Sequence, residues 1–243
     1  MKKIITLTIL SLFVFSCAEK KIAKEAIIHP ISHGSLIIEY GEEMLYIDPV
    51  GNTDDFKDFK KPTIILITDI HGDHLNLETL ESISDSLVPL VIPNAVNERL
   101  NNKVIGKRIV ANNGETKTIN SISIEAIPMY NLREEALQFH EKGRGNGYVL
   151  TLGEKRVYIS GDTEDIPEMR ALKNIDIAFV CMNLPWTMTV ESAADAVLEF
   201  KPKEVIPYHY KGTDGLSDVK KFETIVNSKD QGIIVNLLDW YKE

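Results

Sequence analysis

A short unbroken apolar run, Ile64-Ile65-Leu66-Ile67, follows Pro62 and Thr63 and leads through Thr68 into Asp69-Ile70-His71-Gly72-Asp73-His74. A strand with no polar alternation has to be covered on both faces. The chain must therefore build layers above and below it, and it brings four potential metal ligands to the strand's end. A second buried run, 175–181, needs the same cover in the other half of the chain. Around these two, the pattern predicts strands over 35–40 and 44–48 across a turn at 41–43. Further strands are predicted over 88–92, 116–119, 122–129, 147–152, 155–160, 204–207 and 232–237. Helices are predicted from about Leu77 and over 94–100, 190–200 and 217–225. Buried strands in both halves, punctuated by helices, predict two sheets covered by helices.

The first residues stand apart. Lys2 and Lys3 precede an apolar stretch, 4–15, interrupted only by Thr6, Thr8 and Ser11. It is shorter than the ~20 residues that span a bilayer, and it has the layout of an export signal. Val14-Phe15-Ser16-Cys17 resembles a bacterial lipobox, which implies cleavage after residue 16 and lipid on Cys17. A plain export signal with an incidental cysteine is the alternative. The domain reading is a signal peptide over 1–16, a tether over 17–24 and a folded unit over 25–243. It places the protein outside the cytoplasm, lipid-anchored to a bacterial membrane. Removing 1–16 takes away two lysines and no acid, so the net charge of −9 becomes −11. An acidic exported domain is a poor match for a phosphate backbone, and no nucleic-acid partner is expected. The one other cysteine, Cys181, ends a buried run and reads as a small core residue.

The chemistry gathers in 69–74. Side chains 69 and 71 share a face by the two-residue period of a strand. Gly72 permits a tight turn, after which Asp73 and His74 aim at a neighbouring point. One loop can thus serve two adjacent cation positions, and imidazole with carboxylate suits zinc, iron or manganese. The plainer reading is a solvated polar loop. Against it, the chain has only six histidines, and two of them lie here.

Asp69-Ile70-His71-Gly72-Asp73-His74 resembles the His-x-His-x-Asp-His motif of the metallo-β-lactamase superfamily. Other landmarks of that family follow in order: Ser160-Gly161-Asp162-Thr163 after a strand, Pro207-Tyr208-His209 at a late strand end, and an opening hairpin ending in Ile47-Asp48-Pro49. The likeness covers roughly 26–240. The segment Phe139-His140-Glu141-Lys142-Gly143-Arg144-Gly145-Asn146-Gly147-Tyr148 is most similar to the branch of ascorbate-6-phosphate lactonase-like proteins.

The resemblance implies an α/β (α+β) fold, a four-layer αββα sandwich of two mixed β-sheets flanked by helices. It implies a metal-dependent hydrolase acting on a small ester, lactone or phosphodiester, with one or two Zn2+ ions, Mn2+ or Fe being possible. It assigns Asp69, His71, Asp73, His74, Asp162 and His209 as ligands, with Asp162 between two ions. His140, the single histidine between 74 and 209, is assigned near the first ion. Asp73 also carries a catalytic role, and His33 one near the rim. Lys142, Arg144 and Asn146 are candidates for holding a substrate. Asp69 departs from the family, which most often has histidine there, and Met129-Tyr130-Asn131 stands where many members place the middle histidine. A metal- or ligand-binding lipoprotein of the same fold with little turnover is the competing reading.

Overall fold

The computed structural model describes residues 25–241. In chain order these form β1 (Ala26–Ser32), β2 (Ser35–Tyr40), β3 (Glu43–Ile47), β4 (Ile64–Leu66), α1 (Leu77–Ile83), β5 (Pro89–Ile92), α2 (Asn94–Arg99) and β6 (Lys107–Val110). There follow β7 (Thr116–Ile119), β8 (Ile122–Met129), β9 (Gly145–Leu152), β10 (Lys155–Ile159), α3 (Pro167–Arg170), β11 (Ile177–Cys181), α4 (Val190–Phe200) and β12 (Glu204–Tyr208). The chain ends with β13 (Lys211–Gly212), β14 (Gly215–Leu216), α5 (Val219–Lys229) and β15 (Ile234–Val235). Among the described residues no helix is long and apolar enough to cross a membrane.

One sheet has the order β1-β2-β3-β4-β5-β6 and the other β15-β12-β11-β10-β9-β8-β7. Both are mixed. Hairpins make the antiparallel pairs, while β3 to β6 run parallel, as do β10, β11, β12 and β15. Side-chain alternation shows how the layers stack. Leu36 and Ile38 of β2, Leu45 and Ile47 of β3, and Ile64 and Leu66 of β4 join a core shared with Ile124, Leu150 and Phe179 of the opposite sheet. Their neighbours Ile37, Met44, Tyr46 and Ile65 pack instead with Leu80 of α1 and Val96 of α2. The second sheet is covered by Met169 of α3, Ala193 and Val197 of α4, and Phe222 and Val226 of α5. The architecture is the expected four-layer αββα sandwich of two mixed sheets.

Caps set the helix starts. Asn76 accepts from the N–H of Thr79, Thr189 from Ser192 and Asp218 from Lys221. Strands over 35–40, 116–119 and 122–129 and the helix over 190–200 fall where the pattern places them. β1, β6 and the short α3 do not follow from it. β1 is an edge strand that carries Pro30 and shifts register between Pro30 and Ser32, and edges tolerate such residues. His33 therefore lies in the turn between β1 and β2. The supposed signal and tether, 1–24, lie outside the described residues.

Candidate metal centre

The parallel strands of both sheets end at one edge of the sandwich, and the loops that follow them converge there. The loop after β4 carries Asp69, His71, Asp73 and His74. The turn after β10 carries Asp162, the end of β12 carries His209, and the loop between β8 and β9 carries His140 and Arg144. Two groups of ligand-type atoms result, each gathered within 4.8 Å: Asp73, His74, Asp162 and His209 in one, and Asp69, His71 and His140 in the other. The sequence thus brings all seven expected ligands together. Asp162 lies between the groups, its Oδ2 3.3 Å from His140 Nε2 and 3.5 Å from His74 Nε2, its Oδ1 3.5 Å from His209 Nε2.

The first group fits a cation on chemical grounds. His74 Nε2, Asp162 Oδ1 and both ring nitrogens of His209 are buried without a hydrogen-bond partner. A buried polar atom left unsatisfied costs about 1–3 kcal/mol, and His74 Nε2 and His209 Nε2 each lie 3.5 Å from an oxygen of Asp162. Neutral imidazole and carboxylate are the donor set of zinc, iron and manganese centres.

Neighbouring groups fix each ring. His74 Nδ1 lies 2.8 Å from Asp48 Oδ2, and Asp48 in turn accepts from the Thr68 N–H at 2.7 Å and the Thr68 hydroxyl at 2.5 Å. Burial alone would lower the His74 pKa, but the carboxylates of Asp162 and Asp48 outweigh it and raise it well above the ordinary value. The carbonyl of Trp186 lies 3.2 Å from His140 Nδ1, which leaves Nε2 for Asp162. His209 adopts a left-handed φ of 47°. A Cβ on Gly34 would stand 2.8 Å from His209 Cδ2 and 3.5 Å from His74 Cε1, so only glycine fits beneath the two stacked imidazoles.

Asp73 is 43% exposed and reaches from the buried group toward solvent. Desolvation raises its pKa, but the imidazoles of His209 and His33, 3.4 and 3.5 Å from its Oδ2, prevail and hold it well below the usual carboxylate range. His33 Nε2 is 3.5 Å from Asp73 Oδ2, and its Nδ1 is 2.7 Å from the Tyr241 hydroxyl. That hydroxyl accepts from the Tyr210 N–H, so it is free to donate to Nδ1 and leave the His33 proton facing Asp73. Burial lowers the His33 pKa, in keeping with a neutral ring. Asp69 is fully buried. Burial opposes its ionisation, but hydrogen bonding from His71, the field of His74 and the guanidinium of Arg144 bring its pKa down to about 2.

The residues considered for substrate have other partners. Lys142 Nζ is 2.9 Å from Glu168 and 3.1 Å from the Tyr130 hydroxyl. Arg144 holds Asp69 in a fork, Nε to Oδ1 at 3.0 Å and Nη2 to Oδ2 at 2.8 Å. Asn146 is buried and bonds the carbonyl of Ala111 and the side chain of Asn113. Gly72 has no left-handed φ, and a Cβ there would meet nothing within 4 Å, so the turn does not depend on glycine. The Cys181 thiol is buried and pushed up to about 12 by desolvation, which makes it a core residue as expected.

A cavity of about 220 Å³ opens over the two groups, lined by His71, Asp73, Phe139, His140, Asp162, Asn183 and Trp186. Asn183 and Trp186 were invisible to motif reading, because the loop after β11 has no metal-binding residue in it. Asp48 and Gly34 were legible only as parts of hairpins; nothing in their spacing to His74 or His209 signals contact.

A family model described as a beta-lactamase superfamily domain matches residues 28–209. The UPF0173 metal-dependent hydrolase of Pyrobaculum islandicum is 30% identical over 190 residues, spanning 73% of this chain and 81% of the relative. A solved structure from Parabacteroides distasonis, described as a metal-dependent hydrolase, is 41% identical with a TM-score of 0.78, covering 88% of this chain and 93% of that one. Igni18, a metallo hydrolase of Ignicoccus hospitalis, shares the fold at 21% identity and a TM-score of 0.75, over 89% of this chain and 96% of its own. With the ligand cluster, the sandwich and these relatives in agreement, the chain belongs to the metallo-β-lactamase superfamily and, within it, to the UPF0173 metal-dependent hydrolases.

Proposed function

We propose that this metal-dependent hydrolase cleaves a small ester or lactone, with a phosphodiester as the less favoured substrate. The observation that carries the reading is the cavity itself. Two aromatic side chains, Phe139 and Trp186, face it beside the carboxamide of Asn183, and among the described residues lining it there is no lysine or arginine. Such a wall suits a compact, partly apolar carbonyl substrate better than a free phosphate group. The likeness of 139–148 to lactonase-like proteins supports the lactone, though Lys142 and Arg144 are engaged with Glu168 and Asp69 and do not offer a phosphate site.

Asp73, His74, Asp162 and His209 would hold the cation, with His71, His140 and Asp69 beside them; zinc fits the donor set, and manganese or iron fit it as well. A bound divalent cation supplies Lewis acidity, polarising the scissile carbonyl and acidifying water. Asp73 stays ionised at neutral pH and orients the attacking water by accepting its hydrogen bond. His33 holds that carboxylate in place through Nε2. The Asn183 side chain, with its Oδ1 already engaged by the hydroxyl of Thr187, has amide N–H groups left to face a substrate oxygen. Phe139 and Trp186 exclude bulk water from the reacting bond. The lipid anchor at Cys17 and an extracytoplasmic location belong to this proposal and rest on the sequence of 1–17.

The test is a turnover screen of protein loaded in turn with zinc, manganese and iron, using aryl esters, γ- and δ-lactones and a bis-aryl phosphodiester, with chelated protein as control. Lactone or ester turnover exceeding phosphodiester turnover is expected. Phosphodiester turnover alone would overturn the substrate reading.

A further inference from the structure

The two ligand groups are not equivalent. In the group of Asp73, His74, Asp162 and His209, three buried ligand atoms, His74 Nε2, Asp162 Oδ1 and His209 Nε2, lack a hydrogen-bond partner. In the group of Asp69, His71 and His140, both oxygens of Asp69 are already engaged: Arg144 spans them, at 3.0 and 2.8 Å, and His71 Nδ1 lies 2.9 Å from Oδ2. A guanidinium that bridges both oxygens occupies the inward-facing lone pairs, the stronger positions for a cation. Arg144 is itself anchored. Its Nη2 donates to the carbonyl of Phe139, and its side chain is only 15% exposed.

The geometry points to a centre that takes one divalent cation, on Asp73, His74, Asp162 and His209, while the Arg144 guanidinium seated on Asp69 stands in the place of a second. The inference rests on the metal-dependent reading above and assigns Arg144 a role for which the sequence offered only substrate binding. Asp69 replaces the family's usual histidine, and a carboxylate there would be buried uncompensated without a positive partner. Arg144 supplies that charge permanently. His71 and His140 are then left as two imidazoles at the cavity wall, too few ligands for a tight site, with His71 Nδ1 held by Asp69 and His140 held between the Trp186 carbonyl and Asp162.

The test counts metal. Full-length protein is stripped with chelator, titrated with Zn2+ and separately with Mn2+, desalted and analysed for metal per chain. The wild type should hold one equivalent and Arg144→Met two, since the apolar side chain fills space but frees both Asp69 oxygens. Two equivalents in the wild type would overturn the inference and leave the hydrolase reading standing. No tightly held metal in the wild type would overturn both. One equivalent in a folded Arg144→Met protein would also overturn it. Should Arg144→Met fail to fold, the double variant Asp69→His with Arg144→Met removes the buried charge pair together. Two equivalents there support the inference, and one equivalent goes against it.

Discussion

Asp48 and His74 form a fully buried pair, Oδ2 to Nδ1 at 2.8 Å, that joins the end of β3 to the loop after β4. Asp48 sits in a left-handed conformation, φ 43°, and is held by both donors of Thr68. The pair turns the His74 ring so that Nε2 faces Asp73 and Asp162. A carboxylate behind a ligating imidazole fixes its tautomer and raises its basicity, and removing one weakens metal binding about 10–100-fold. Asp48→Asn should therefore lower metal affinity by that factor in a competition titration with a fluorescent chelator. Unchanged affinity would show that the pair serves the fold alone.

Gly34 tests how tightly the two imidazoles are set. A methyl group at 34 stands 2.8 Å from His209 Cδ2, closer than real contacts allow, and His209 is fully buried on a strained backbone. The ring must give way, because Gly34 belongs to a short turn between paired strands. Gly34→Ala should lose metal affinity and most turnover while its circular dichroism stays native. Native metal affinity in Gly34→Ala would mean that His209 is free to move.

Metal removal should loosen the whole fold. The four-residue group draws on the loops after β4, β10 and β12, so a cation held there would tie both sheets together. A ligand present at 100 times its Kd stabilises the native state by about 2.7 kcal/mol. For a chain of this size that corresponds to a Tm change of about 5–10 °C. Differential scanning calorimetry of chelated and reloaded protein checks it, and a shift below about 1 °C would count against a structural contribution.

Most of the framework was legible in the sequence because burial on two faces leaves a strong mark: 64–67 and 175–181 have no polar alternation, and both became central strands. β1 and β6 lie at the two ends of the first sheet, where Pro30, Lys107 and Arg108 are tolerated and the mark fades. The seven ligand-type residues were legible through the ordered motifs. Their division into one group with unsatisfied atoms and one closed by Arg144 was not, because Asp69 and Arg144 stand 75 residues apart and meet only when β9 is laid beside the loop after β4. The same holds for Trp186, whose backbone carbonyl steers His140 from 46 residues away.

The anchor read from 14–17 has a direct check in cells. Cys17→Ser should either remain an uncleaved precursor or appear outside the membrane fraction, and metabolic labelling with a fatty-acid analogue should mark the wild type only. Equal labelling of both proteins would dismiss Cys17 as the acceptor.

Trp186 separates two roles within one residue. Its carbonyl lies 2.7 Å from Asn131 Nδ2 and 3.2 Å from His140 Nδ1, while its ring lines the cavity. A backbone carbonyl survives substitution, so Trp186→Ala should leave His140 oriented and the metal count unchanged. What it removes is the aromatic wall. Losing contact with a large ring costs on the order of 1.5 kcal/mol or more for a group packed against it, and 1.4 kcal/mol is tenfold in affinity. KM for an aryl ester or a substituted lactone should thus rise about tenfold, with kcat within a few-fold of the wild type, and a small unsubstituted lactone should be affected less. Steady-state kinetics on the two substrates, with metal measured on the same samples, distinguish this from general damage. A fall in kcat with unchanged KM, or a loss of metal, would place Trp186 in the support of His140 and remove the ring from substrate binding.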